Sequence, residues 1–466
     1  MKIVSRMIIP IAVAFMTVIS PGCTVTPTTN TNSTSNTNTT SNANTASTVP
    51  VSSSNANPNN VTVTLPLLDA MFAEEGFAND LKSRVQLTDE QVGKLRNIAR
   101  EATSKLREGD TGAPHQGSTA AARSQAEEQI KAAIGPEKTQ QLVAFIGERY
   151  NGAALPGTTT VGAVPTDTRV LVNAPAFRMD VFQNGQLVKT YKVAIGYPEF
   201  PLPAGMRKAD TIIFNPTWTP PDEPWVEAPG SKVKVGETVK AGDKLNPLGP
   251  IKIPIGLPSL IHGGKVPARI GNFGSHGCVG LTDSQVKDFA MLLAQMGGAS
   301  VTAAQVAEYE KNKSETKSVK LSTPVPVELR YDTIRVEDGK LYIYRDVYDK
   351  NTNTEENLRT ALQAYGVQLE QLSEAERAQA MNALKEMSRD ASGRLDASPG
   401  ANANSNSSKK TDNSNSKVTR TIKGQKEVVI EIAALSGKGY PAPVNLDTGG
   451  AKPEANKPAS SKKKAR

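Results

Sequence analysis

The stretch NFGSHGCVGL, Asn272 to Leu281, holds one of the two cysteines and one of the three histidines in the chain. A second histidine, His262, stands just upstream in SLIHGGKVPARIGNFGSHGC. A cysteine attacks a carbonyl as its thiolate, and a nearby imidazole can take the proton. Cys278 is therefore a candidate nucleophile, with His262 and His276 as candidate bases. His276 lies two residues before the cysteine and points the same way along an extended chain. His262 closes an apolar strand-like run, and glycines at 263, 264, 271 and 274 let the intervening loop fold back tightly. The residue pattern alone does not choose between the two histidines. Gly277 lets a substrate carbonyl come close to the backbone, where N–H groups around Gly277 and Cys278 can meet a developing oxyanion. Loss of one such donor typically costs about 3 kcal/mol.

Other uses of these residues compete. Cysteine is among the most buried residue types, so a lone one is often structural. His262, His276 and Cys278 could also be metal ligands, but zinc takes three or four protein ligands and the paired-cysteine spacings are missing. His115, in TGAPHQGST, sits in a polar loop with no chemistry of its own.

The elements that must position the pair are legible as periodicities. RVLVNAPAFRMDVFQNGQLVKTYKVAIG alternates apolar and polar residues, and Asn184-Gly185 suits a tight hairpin turn. Proline and glycine are dense between Pro198 and Pro258, which suits short strands and ordered loops. TDSQVKDFAMLLAQM reads as a helix opened by a Thr282/Gln285 capping box. PVPVELRYDTIRVEDGKLYIYRDVY is a second alternating hairpin turning at Asp338-Gly339, followed by two helical segments and a strand-like KEVVIEIAAL. Upstream, LTDEQVGKLRNIAREATSKL carries a Thr88/Gln91 capping box. AARSQAEEQIKAAI and EKTQQLVAFIGERY are two further helices, separated at Gly135-Pro136.

Over 466 residues the hydrophobic fraction is 38% and the aromatic fraction 5%, which predicts folded domains separated by disordered tracts. The net charge of +8 suits a polyanionic partner. No nucleic-acid motif is present, so nucleic acid is set aside in favour of anionic lipid or an anionic wall polymer. MKIVSRMIIPIAVAFMTVISPGC has the layout of a secretory signal peptide. SPGC resembles a bacterial lipoprotein cleavage box, which would make Cys23 the lipidated residue. The competing reading is ordinary signal cleavage, with Cys23 discarded or free. The expected order is a signal peptide over 1–23, an Asn/Thr/Ser tether over 24–63 and a small α-helical domain over 64–150. A catalytic domain over 165–306, a hairpin plus helical extension over 320–390, a linker over 391–420 and a strand with a basic tail over 421–466 complete it.

IHGG followed at this separation by SHGCVGL resembles the L,D-transpeptidase catalytic domain, also called YkuD. APAFRMDVFQNGQLVKTYKVAIGYPEFPLPAG, NPTWTPP and NPLGPIKI look like that family's upstream strands and loops, so the resemblance covers about Thr168 to Val306. It implies a mixed chain: a mainly-β domain, sandwich- or barrel-like with a flanking helix, behind the helical domain and tether. The implied chemistry is acylation of Cys278 by a peptidoglycan tetrapeptide stem, release of D-alanine, and transfer to an amine. Water as acceptor would make a carboxypeptidase, and a protein amine would make an anchoring enzyme. A catalytically idle wall-binding lipoprotein is the other alternative. His262 takes the base role and the Gly263 carbonyl orients it. Ser275, His276, Gly277 and Cys278 shape the pocket, with their N–H groups from His276 onward as the oxyanion hole. No metal or cofactor is implied. The partners are stem peptides and, through the lipid, a membrane; the place is the periplasm-facing cell envelope, and the oligomeric state is open. Gly280 departs from the family, which usually has arginine or asparagine two residues after the cysteine. A further departure is HGG, where threonine or serine often follows HG.

Overall fold

The computed structural model describes residues 61–451 apart from 75, 105, 108–118, 152–161, 222–225, 227–230, 257, 392, 394, 396–415 and 418–420. The signal peptide with Cys23, the tether up to residue 60 and His115 lie outside the described residues. Among the described residues no helix is long and apolar enough to cross a membrane.

Helices come first: α1 (Leu65–Phe72), α2 (Phe77–Arg84), α3 (Asp89–Ser104), α4 (Thr119–Ile134) and α5 (Pro136–Asn151). Local chemistry sets their ends. Thr88 and Gln91 exchange side-chain and backbone hydrogen bonds before α3. Gly135 takes φ +84 between α4 and α5, where a residue with a Cβ would be strained. Leu67, Leu68, Phe77, Leu95, Leu142 and Ile146 are fully buried in a core of their own. A two-residue strand, β1 (Leu106–Arg107), precedes α4.

A mainly-β region follows. Its strands are β2 (Arg169–Asn173), β3 (Arg178–Gln183), β4 (Gln186–Lys192), β5 (Ile195–Gly196), β6 (Gly205–Phe214), β7 (Ile251–Pro254), β8 (Leu260–His262), β9 (Phe273–Ser275) and β10 (Val279–Gly280). α6 (Asp283–Met296) and α7 (Ala303–Lys311) come next, then β11 (Lys317–Arg330). Eight strands form one sheet in the order β10-β8-β7-β6-β11-β2-β3-β4, and β5 pairs separately with β9. The β3–β4 hairpin turns at Asn184 and Gly185, with φ 49 and 77. Val286, Phe289, Ala290 and Leu293 of α6 are buried in the sheet's core. The Thr282/Gln285 capping box sets the start of α6 directly after β10.

The main sheet runs on past residue 306, into the stretch read from the sequence as a separate hairpin. β11 lies in the middle of the main sheet, antiparallel to β6 and parallel to β2. An alternating pattern reveals a strand but not its partner, and this pairing spans more than a hundred residues of chain. β12 (Ile334–Glu337) and β13 (Lys340–Tyr344) form the second hairpin. It pairs with β15 (Glu427–Glu431) and packs on α8 (Glu355–Gln363) and α9 (Glu374–Met387) around a third core. β14 (Ser416–Lys417) pairs with β1. Residues after β15 also return to the main sheet, where the Tyr440 hydroxyl donates to Asp180 Oδ2 at 2.9 Å.

Candidate active site

His262 is the last residue of β8, a strand held between β7 and β10. β10 runs parallel to it, with Val279 opposite Ile261 and Gly280 opposite His262. Val279 and Ile261 are fully buried in the main core. Side chains alternate across a strand, so His262 and Gly280 take the other face. Cys278 stands two residues before Gly280, where the chain enters β10. The Leu281 N–H donates to the His262 carbonyl at 2.8 Å, and Gly280 exchanges two bonds of 2.9 Å with Ala194. A main-chain ladder therefore fixes the histidine and cysteine segments side by side.

His262 is 3% exposed. Its Nδ1 lies 2.7 Å from the Gly263 carbonyl oxygen. A carbonyl only accepts, so Nδ1 carries the proton and Nε2 keeps a lone pair. Burial pushes the imidazole pKa down to about 3, and the nearby Lys265 charge lowers it further, while the carbonyls of Gly263 and Leu248 oppose both. The ring is therefore neutral near pH 7. Close packing holds the orienting turn. A Cβ on Gly263 would sit 2.8 Å from Val286 Cγ1, and one on Gly264 would sit 2.4 Å from the Pro247 oxygen. The second glycine of HGG thus has a steric reason.

Cys278 is half-buried. Its Sγ faces the Pro258 carbonyl at 3.9 Å. Ser275 closes the turn in front of it: the Cys278 N–H donates to Ser275 Oγ at 3.0 Å, and that hydroxyl donates to the Cys278 carbonyl at 2.6 Å. The Cys278 amide is thus engaged by Ser275 in this state, which differs from its expected place in an oxyanion hole. Gly277 has φ +93, and a Cβ there would meet nothing within 4 Å. The backbone needs glycine at this point, and the space above it is open to a ligand. Ser259 donates to the Gly277 carbonyl at 2.8 Å.

His276 is seated differently. Its ring meets Tyr197 and Phe200 edge-on, at centroid distances of 5.2 and 4.7 Å. The Tyr197 N–H also donates to the Ser275 carbonyl at 2.9 Å. The aromatic loop is anchored from the helical side, where the Thr64 hydroxyl donates to the Glu199 carbonyl at 2.7 Å and Thr119 to the Pro198 carbonyl at 2.8 Å. Tyr348 donates to the Gly196 carbonyl at 2.9 Å.

Tyr197, Phe200, Ser259 and Lys265 are the positions that sequence reasoning passed over. The PEFPLPAG stretch signalled only an ordered loop. Lys265 accounts for Gly280. A Cβ on Gly280 would lie 2.7 Å from both Cγ and Cε of Lys265, and the lysine Nζ donates to the Gly274 carbonyl at 2.8 Å. The lysine side chain fills the space a side chain at 280 would need and braces the loop before Cys278 from the His262 side. Lys265→Met keeps most of the methylene packing and deletes the charged donor. It is expected to loosen the loop by about 1.5–3 kcal/mol, read as a lower unfolding midpoint. An unchanged midpoint and rate would deny the lysine this role.

Among the described residues no group of three or more His, Cys, Asp or Glu converges as metal ligands. Residues 167–327 match the family model of the L,D-transpeptidase catalytic domain, YkuD. No curated protein matches the chain. Among solved structures, the catalytic domain of the Enterococcus faecium L,D-transpeptidase is 17% identical, with a TM-score of 0.24 over 36% of this chain and 100% of that one. A cysteine-to-serine mutant of the Enterococcus faecium enzyme is also 17% identical, TM-score 0.22, over 35% of this chain and 50% of that one. An L,D-transpeptidase from Mycobacterium smegmatis is 13% identical, TM-score 0.21, over 35% and 58%. The chain thus spans about half the length of the larger proteins it matches.

Proposed function

We propose that the L,D-transpeptidase catalytic domain carried by residues 167–327 is a working cysteine acyltransferase that cross-links peptidoglycan. The observation that carries this reading is the β8–β10 register, which supports it by pairing the strand that ends at a buried, neutral His262 with the strand that follows Cys278. His262 Nε2 takes the Sγ proton, and the thiolate attacks the carbonyl between meso-diaminopimelate and the terminal D-alanine of a tetrapeptide stem. Main-chain N–H groups of the 276–278 turn face the oxyanion, with the Cys278 amide released from Ser275 as the substrate enters. The C–N bond breaks, the proton on His262 passes to the departing amine, and a thioester remains on Cys278. The side-chain amine of a second stem then attacks the thioester. Its proton passes to His262 and on to the departing sulfur, leaving a bond between two diaminopimelate residues. Gly277 leaves room for the acyl group, and His276 with Tyr197 and Phe200 holds the turn in shape.

We place this activity on the periplasmic side of the cell envelope, with the chain tethered through a lipid on Cys23. A basic surface would then favour anionic lipid and wall polymer.

Incubating the chain with disaccharide-tetrapeptides and reading the products by mass tests the proposal. Free D-alanine together with dimers joined between diaminopimelate residues is the expected result. Tripeptide products without dimers would assign water as the acceptor. Stems left intact, from a folded protein, would overturn the enzyme reading.

A further inference from the structure

A cavity of about 720 Å³ lies where the end of α5 meets β6 and the end of β7. Its lining combines apolar Met206, Ile255 and Pro326 with Glu74, Tyr150 and Arg207. Glu74 Oε2 and Arg207 Nε are buried and find no hydrogen-bond partner among the described residues, and the buried Tyr150 hydroxyl, which Arg149 approaches, keeps its own proton to donate. Folded proteins leave few such groups unmatched, and their gathering around one cavity calls for an occupant.

The three belong to one electrostatic group, since Glu74 acts on both Tyr150 and Arg207. Arg207 is 8% exposed. Its terminal nitrogens donate to the main-chain carbonyls of Tyr150 and Pro203, and its guanidinium sits 4.8 Å from the Tyr150 ring centroid. Carbonyls satisfy donors but do not neutralise a charge, and Glu74 acts on Arg207 across the cavity with no ion pair joining them among the described residues. Glu74 presents the opposite need. One oxygen pairs with Arg149 at 2.7 Å while the other is unmatched. Burial pushes the Tyr150 phenol up to about 12, so it stays protonated and can donate. An occupant that answers all three atoms carries a carboxylate for Arg207 and Tyr150 and an ammonium for Glu74. A free α-amino-acid group holds both on one carbon, and the apolar walls suit a short aliphatic chain behind it.

We propose that this cavity is a binding site for the zwitterionic end of an amino acid, with its carboxylate on Arg207 and Tyr150 and its ammonium on Glu74. Two sources share that chemistry: a free amino acid such as released D-alanine, and the amine-bearing diaminopimelate end of a wall peptide. Tying either source to catalysis rests on the proposed transpeptidase reading, whereas binding itself does not. The cavity wall at Gly256 is two residues along the chain from Pro258, whose carbonyl faces Cys278 Sγ. An occupant therefore touches the segment that supports the nucleophile.

The test is calorimetric titration of the full chain carrying Cys278→Ala, which removes turnover. D-alanine, meso-diaminopimelate, a disaccharide-tetrapeptide and N-acetyl-D-alanine are titrated separately. The zwitterions are expected to bind, with N-acetyl-D-alanine at least about tenfold weaker, a difference of ~1.4 kcal/mol. Tyr150→Phe and Glu74→Gln, which change no packing volume, are each expected to weaken zwitterion binding by about tenfold. Arg207→Gln also removes a bond to the end of α5, so these two milder variants carry the decision. Binding of D-alanine alone assigns the free amino acid, and binding of the larger ligands assigns the peptide. No binding by any zwitterion, equal binding of the acetylated form, or affinities unmoved in both variants would overturn the site and leave a cavity filled by water only. Intact binding in a chain whose wild type releases no D-alanine would sink the transpeptidase reading alone.

Discussion

His262→Ala is expected to lower the rate of acyl transfer by about two to four decades, the usual worth of general-base catalysis. His276→Ala is expected to change the chemical step far less. The two rings are set for different work. His262 has Nδ1 fixed on the Gly263 carbonyl, at the end of the strand that pairs with the chain leading from Cys278. His276 is packed edge-on against Tyr197 and Phe200, so truncating it removes ring contacts that hold the turn. Its loss should appear first in thermal stability, and single-turnover rates at saturating substrate separate the two effects. Equal losses of rate in both variants would undo the assignment of the base.

The second large effect is on stability in acid. A buried, neutral imidazole with a pKa of about 3 faces an ordinary value of 6.5 in the unfolded chain. Above pH 6.5 neither state holds the proton, and the histidine adds no pH dependence. Below it the unfolded chain takes up a proton that the folded site refuses, so stability falls with pH until the folded site titrates near 3. The loss attributable to this one group is roughly 3 kcal/mol by pH 4 and roughly 5 kcal/mol at the acid limit. Denaturant midpoints at pH 7 and pH 4 for the wild type and His262→Asn measure it, because the variant should lose correspondingly less. Identical pH dependence in the two proteins would mean that the imidazole is not held neutral. The same low pKa predicts that protonation of His262 gives no acid limb to the rate between pH 5 and 8.

What could be read without coordinates was the local chemistry. The capping pairs Thr88/Gln91 and Thr282/Gln285 act over three residues, and both form. The hairpins at Asn184-Gly185 and Asp338-Gly339 are fixed by residues that tolerate positive φ, and all four have it. That the strand ending at His262 would lie beside the chain leading from Cys278 was legible as a possibility, because a glycine-rich loop joins the two. Long-range placement was hidden. Nothing in Lys317–Arg330 announces a strand between β6 and β2, since pleated alternation is the same for any partner. Tyr440 lies in a segment that read as part of a tail, yet it packs on Phe182. Lys265 explains Gly280 only once β8 and β10 are side by side, because fifteen residues separate them in the chain. The aromatic seat of His276 was hidden for the same reason, and so was the grip of Thr64 and Thr119 on the 198–199 loop.

The central claim is that Cys278 Sγ is a nucleophile toward an activated carbonyl. A carbapenem, whose strained ring supplies such a carbonyl, measures this directly when mixed with the intact chain and followed by mass spectrometry. One drug equivalent added, mapped to the peptide that contains Cys278, and no addition to Cys278→Ala is the expected result. A folded protein that gains no mass, or gains it on another residue, would contradict it.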